Sequence, residues 1–180
     1  MKIIENFLSE EDFKQLKRVI QKVEFPWSRA PILPLSLLDT DPMYNVQFVH
    51  RFVECFIALE NGVVVEKTMK KSDYYHIVHP IVERINPSEI IKLKSNLTVN
   101  RGISEKAGFH TDVSGEPYYG NGMTGIYYVN TCNGGTFFES GEMVNSVENR
   151  FVYFPNTTRH SPVSATDVPY RMVVNFNWVP

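Results

Sequence analysis

Hydrophobic positions along the chain follow two different periods, and the change falls near residue 88. Upstream the spacing is helical. Ser9 and Asp12 form a capping box, after which Phe13, Leu16, Ile20 and Val23 recur on one helix face. Phe48, Phe52 and Phe56, followed by Leu59, predict a second helix over residues 46–60. A third, short helix is predicted over 81–85, started by Pro80. Residues 28–42 carry three prolines and no clean period, which reads as an irregular covering segment.

Downstream the period is two. Ile91, Leu93, Leu97 and Val99 share one face of an extended chain, while Asn96, Thr98 and Asn100 share the other. Further short strands are predicted at TGIYYVN, GGTFFES, MVNSV, RFVYF and YRMVVNFNW, separated by turn signals such as Asn133-Gly134-Gly135 and Ser140-Gly141. The pattern predicts an α+β, mainly β domain spanning 1–180. Residues 1–87 would be a helical supporting region and 88–180 a sandwich or barrel, with the helices packed on one sheet.

Composition narrows the class. With 43% hydrophobic and 13% aromatic residues the chain is a folded protein, long enough to bury a core. A net charge of −2, with scattered Lys and Arg, argues against an extended nucleic-acid surface. Lys67, Lys70 and Lys71 read as a solvated loop. Cys55 and Cys132 are in no metal-binding spacing and read as reduced thiols, with Cys55 on an apolar helical face. No apolar run reaches the ~18 residues a bilayer requires, and the N-terminal segment lacks a signal-peptide pattern. The expectation is a cytoplasmic protein of unknown oligomeric state, for which the sequons at Asn96 and Asn156 carry little meaning.

The chemistry gathers in the second half. In GFHTDV, His110 and Asp112 would point to the same side of an extended chain. His160 follows Asp112 by 48 residues, a gap that in a jelly roll passes through about four strands and can return the chain beside the first pair. Two imidazoles and one carboxylate on one face of a metal leave the opposite face open, as non-haem Fe(II) oxygenases require. On the last predicted strand Arg171, Val173 and Asn175 share a face. A guanidinium on an inner face requires an anion, and its fork matches a carboxylate. Tyr128 could complete such a clamp from across the barrel. An internal salt bridge is the competing explanation for Arg171.

Together, GFHTD, GIYYVN, GGTFFESG, NRFVYFP, RHSP and YRMVVNF resemble the iron(II)/2-oxoglutarate-dependent dioxygenases, in the prolyl-4-hydroxylase-like branch and close to its bacteriophage-type members. The likeness covers about residues 88–180. It implies a double-stranded β-helix (a cupin-like jelly roll), Fe(II) on His110, Asp112 and His160, and 2-oxoglutarate held by Arg171 and Tyr128. It further implies Asn96 and Thr98 as co-substrate contacts and ascorbate as a candidate accessory. Two departures stand out: no tyrosine occupies the strand before the His-x-Asp, and the loop leading to His110 is long. Because Asp112 is retained where halogenating relatives lack the carboxylate, the resemblance implies hydroxylation. Reaction with O2 would release succinate and CO2, and the substrate would be a peptide side chain, an amino acid or another small molecule. The loop 114–123, with Tyr118 and Tyr119, is expected at the substrate mouth.

Two alternatives stay open. One is a non-catalytic jelly-roll module binding a metal and a small acid; a metal hydrolase on the same three residues is the weaker. A di-iron helical site would need His76, His79 and Glu83 to meet His50 and Glu54, and Pro80 interrupts the first of those segments.

Overall fold

The structure, a computed structural model, describes residues 1–33, 45–60, 63–113 and 120–180, with backbone alone for 57–60 and 63–66. Helix α1 (Glu10–Ile20) begins as its sequence dictates: Ser9 Oγ accepts the Asp12 N–H at 3.1 Å. Leu16 and Ile20 are fully buried, but the helix stops at Ile20, so Val23 lies beyond it and is 97% exposed. Helix α2 (His79–Ile85) carries Pro80 in its first turn and ends at Asn86, whose φ of 51° is left-handed.

The helix expected over 46–60 is a strand, β3 (Gln47–Glu60). A spacing of four satisfies both periods, so Phe48, Phe52 and Phe56 fit a helix face and a strand face equally. The segment is also rich in β-branched and aromatic residues, and three neighbouring strands capture it. A bulge between Arg51 and Val53 turns both Phe52 and Val53 into the core, while Phe56 stays 55% exposed. The expectation for the Leu59 side chain lies outside the described residues. Cys55 is therefore on a strand, with its Sγ–H donating to the Ile90 carbonyl at 3.2 Å.

The remaining strands are β1 (Lys2–Ile4), β2 (Ser28–Ala30), β4 (Val63–Lys71), β5 (Glu89–Val99), β6 (Met123–Tyr128), β7 (Gly135–Phe138), β8 (Met143–Asn145), β9 (Arg150–Pro155), β10 (His160–Val163) and β11 (Tyr170–Val179). Lys67, Lys70 and Lys71 thus sit on β4 rather than in a loop, and the segment read as irregular opens with β2. The described strands form an antiparallel sheet of eight, ordered β1-β9-β6-β11-β5-β3-β2 with β4 also on β3, and a second sheet of three, ordered β10-β7-β8.

The large sheet is packed on both faces. On one, Phe52, Leu93, Tyr127, Phe151, Met172, Val174 and Phe176 pack against Leu16 and Ile20 of α1 and Ile81 of α2. On the other, Ile126, Tyr128, Val152, Phe154 and Val173 meet Phe138 and Val144 of the small sheet. Alternation along β11 sends Met172, Val174 and Phe176 toward the helices and leaves Arg171, Val173 and Asn175 between the sheets. The result is a mainly β jelly roll with its helices on one sheet. No described helix is long and apolar enough to cross a membrane.

Candidate active site

Four strands, β6 to β9, separate Asp112 from His160, and the chain returns between the sheets as the spacing predicts. Residues 108–113 approach β10 through an isolated antiparallel bridge in which His110 and His160 are direct partners. Gly108 sets up this entry. At a φ of 114°, open to glycine alone, its carbonyl lies 3.3 Å from His110 Nδ1. The Thr158 carbonyl lies 3.2 Å from His160 Nδ1 in the same manner. Carbonyl oxygens only accept, so each Nδ1 donates, and each Nε2 presents a lone pair.

Those Nε2 atoms face Asp112, at 3.7 Å from its Oδ1 for His110 and 3.8 Å from its Oδ2 for His160. Ligand atoms of the three residues lie within 4.8 Å of one another, and among the described residues this is the one His/Cys/Asp/Glu group so arranged. Burial pushes the Asp112 carboxyl up, yet His110, Lys92 and His160 around it hold it well below the usual carboxylate range. Burial lowers the His160 imidazole, against the pull of Asp112. A carboxylate and neutral imidazoles are the protonation states a divalent metal requires.

The three residues line a cavity of about 560 Å³ between the sheets, the size of a small-molecule site. Arg171 also lines it, only 4% exposed, and forms no ion pair among the described residues, so the salt-bridge explanation has no partner there. Its guanidinium donates to Thr136 Oγ1 at 3.5 Å. Arg171 Nε, Asn96 Oδ1 and Asn175 Oδ1 are buried without partners among the described residues, and all three residues face the cavity, as does Thr98. Such orphaned groups call for a polar partner, which a ligand or water in the cavity can supply.

Tyr128 lies behind the wall, fully buried, with its ring centroid 5.5 Å from the guanidinium carbon and its hydroxyl donating to Thr136 Oγ1 at 2.8 Å. Thr136, on β7, is thus the residue that reaches the cavity. No sequence motif singles it out as a site residue, nor Lys92, Lys94 or Asn175. Lys92 Nζ donates to the Asp112 backbone carbonyl at 2.9 Å, and Asn175 Nδ2 lies 3.4 Å from Asp112 Oδ2. Parity could have found the lysines, since 92 and 94 alternate in step with Asn96 and Thr98. Tyr118 and Tyr119 lie outside the described residues.

The di-iron alternative does not assemble. His79 pairs with exposed Glu83, His76 Nδ1 donates to Asp73 O, and His50 sits among Phe25, Phe52 and Tyr74 with its ring nitrogens on Pro26 O and Ser72 Oγ.

No family model matches the sequence, and no curated protein matches it. Solved structures do match its fold. An oxidoreductase of the 2OG-Fe(II) oxygenase family from Burkholderia pseudomallei superposes with a TM-score of 0.68 at 9% identity, over 98% of this chain and 84% of that one. A prolyl-4-hydroxylase from Pseudomonas putida gives 0.58 at 12% identity, over 99% and 90%. The epimerase SnoN from nogalamycin biosynthesis, in complex with Fe3+, alpha ketoglutarate and nogalamycin RO, gives 0.62 at 13% identity, over 98% and 77%. By architecture, the chain has the jelly-roll fold of the 2-oxoglutarate/Fe(II) oxygenases.

Proposed function

We propose that the protein is an Fe(II)- and 2-oxoglutarate-dependent oxygenase that hydroxylates a C–H bond of a small molecule or peptide side chain. The observation that carries the reading is one cavity holding both the His110, Asp112 and His160 cluster and a buried guanidinium with no acid partner among the described residues. The donor set fits a divalent metal and Arg171 fits a carboxylate; a site for a metal alone would leave Arg171 unexplained.

When bound, iron and 2-oxoglutarate supply the oxidising chemistry for C–H cleavage. The chain's own part is placement. His110 and His160 offer Nε2 because Gly108 and Thr158 fix their Nδ1 protons. Lys92 and Asn175 hold Asp112, one through its backbone carbonyl and one through its carboxylate. Arg171 would receive the far carboxylate of the co-substrate with Thr136 beside it, and Tyr128 supports that pair from behind. Asn96 and Thr98 offer polar contacts along the same wall, while Ile126 and Val173 limit water.

The test is conversion of 2-oxoglutarate to succinate by the purified protein, with Fe(II) and O2 supplied or withheld, and with ascorbate as an additive. Succinate formation that requires both iron and oxygen supports the reading. Tight 2-oxoglutarate binding with no turnover, across a broad panel of amino acids and peptides, would favour the non-catalytic binding module.

A further inference from the structure

Among the cations of the cavity, Lys94 has neither a partner among the described residues nor a task in the proposed reaction. Lys92 is engaged by the Asp112 carbonyl, Arg159 by Glu139, and Arg171 would be engaged by the co-substrate. Lys94 lines the cavity, yet its ammonium makes no hydrogen bond and no ion pair among the described residues. Asp112 is the single acidic side chain on the described wall, and it belongs to the metal cluster.

Strand register fixes where Lys94 stands. Between β11 and β5, Arg171 lies opposite Thr98, whereas Lys94 lies opposite Asn175, which reaches Asp112. Four residues of extended chain separate the two positions, roughly 13 Å. A co-substrate held between Arg171 and the metal cluster therefore leaves Lys94 level with the cluster, away from Arg171.

The ammonium is also held against its preference. Burial first, then the neighbouring charges of Lys92 and Arg51, bring it from 10.5 to about 8, against the pull of Asp112. Half-buried cations of this kind are stabilised by an anion. We propose that Lys94 recognises an acidic group, a carboxylate or a phosphate, on the primary substrate, bound beside the His110, Asp112 and His160 cluster and away from Arg171. This rests on the oxygenase reading. It limits the substrate class to anionic small molecules, or side chains carrying a nearby acid.

The test uses the full chain loaded with Zn2+, which does not turn over, and saturated with 2-oxoglutarate. Dissociation constants for benzoate, phenyl phosphate and neutral benzamide are measured by ligand-observed NMR. At least one acid is expected to bind tenfold or more tightly than benzamide. That preference should vanish in Lys94→Met and persist in Lys94→Arg. The tighter of benzoate and phenyl phosphate tells which acid the site takes. Equal binding of acids and amide, or a preference that survives Lys94→Met, overturns the proposal. Should Lys94→Met fail to melt cooperatively, Lys94→Gln carries the same comparison. The 2-oxoglutarate dissociation constant is measured first on the same samples. If the co-substrate does not bind, the oxygenase reading fails, and the comparison of acids with benzamide in its absence decides Lys94 separately.

Discussion

His110 and His160 exchange both of their backbone hydrogen bonds, each 3.0 Å long, although 50 residues separate them in sequence. The rings stand side by side on that bridge, with centroids 4.7 Å apart. Their geometry is therefore set by main-chain pairing before any metal arrives.

Because the backbone carries the geometry, His110→Ala and His160→Ala should fold and lose function. Each is expected to abolish Fe(II)-dependent succinate formation and to weaken metal binding by at least about tenfold, while the far-UV circular dichroism stays that of the parent protein. Full turnover in either variant would exclude that residue as a ligand.

Arg171→Met should raise the 2-oxoglutarate requirement at least about tenfold, the equivalent of losing a charge-assisted pair of about 1.5–3 kcal/mol. Metal affinity should hardly change. Tyr128→Phe removes a neutral hydrogen bond and should cost about 0.5–1.5 kcal/mol, and Thr136→Val, which also removes the acceptor of the guanidinium, should cost more. Initial rates across 2-oxoglutarate concentrations, set beside metal titrations, separate these effects. An unchanged co-substrate affinity in Arg171→Met would remove Arg171 from the site.

Lys92→Met tests positioning. Loss of the bond to the Asp112 carbonyl should weaken metal binding about 10-fold or more, as for other groups that orient a ligand. Restoration in Lys92→Arg, read as the metal dissociation constant, would separate a positioning role from simple loss of packing.

Acid should destabilise the metal-free protein in two stages. His160 and His50 are lowered by burial, so below their ordinary value of 6.5 the unfolded chain takes up protons that the folded chain resists, and stability falls with pH. Asp112 is held low, so its contribution is present above 3.8 and is lost as pH falls further. Melting temperature against pH should show both stages, and His160→Gln should shrink the first. An undiminished first stage would mean that His160 titrates normally.

Much of this site was legible in the sequence because period two is strict. One parity assigned Arg171, Val173 and Asn175 to a common face, and the four-strand gap brought His160 back to Asp112. The same tool misplaced residues 46–60, where a spacing of four belongs to both periods and only the β-branched content separates them. Thr136 was not legible for a different reason. Its importance comes from the Tyr128 hydroxyl and the Arg171 guanidinium converging on one atom, a relation between three strands that no local pattern encodes. Lys94 was hidden by habit of charge, since a lysine on a strand ordinarily reads as solvent-facing.

The division of the large sheet into a helix side and a cavity side also decides what light can report. Both tryptophans, Trp27 and Trp178, pack into the core on the helix side, and Trp178 is shielded by Phe151, Tyr153 and Phe176. A full β-layer stands between these indoles and anything entering beside Asp112. Emission should therefore stay constant while metal and co-substrate are titrated, and change steeply when the sheet comes apart. Fluorescence is thus a monitor of folding in each variant above, and ligand binding calls for a probe placed on the opposite face.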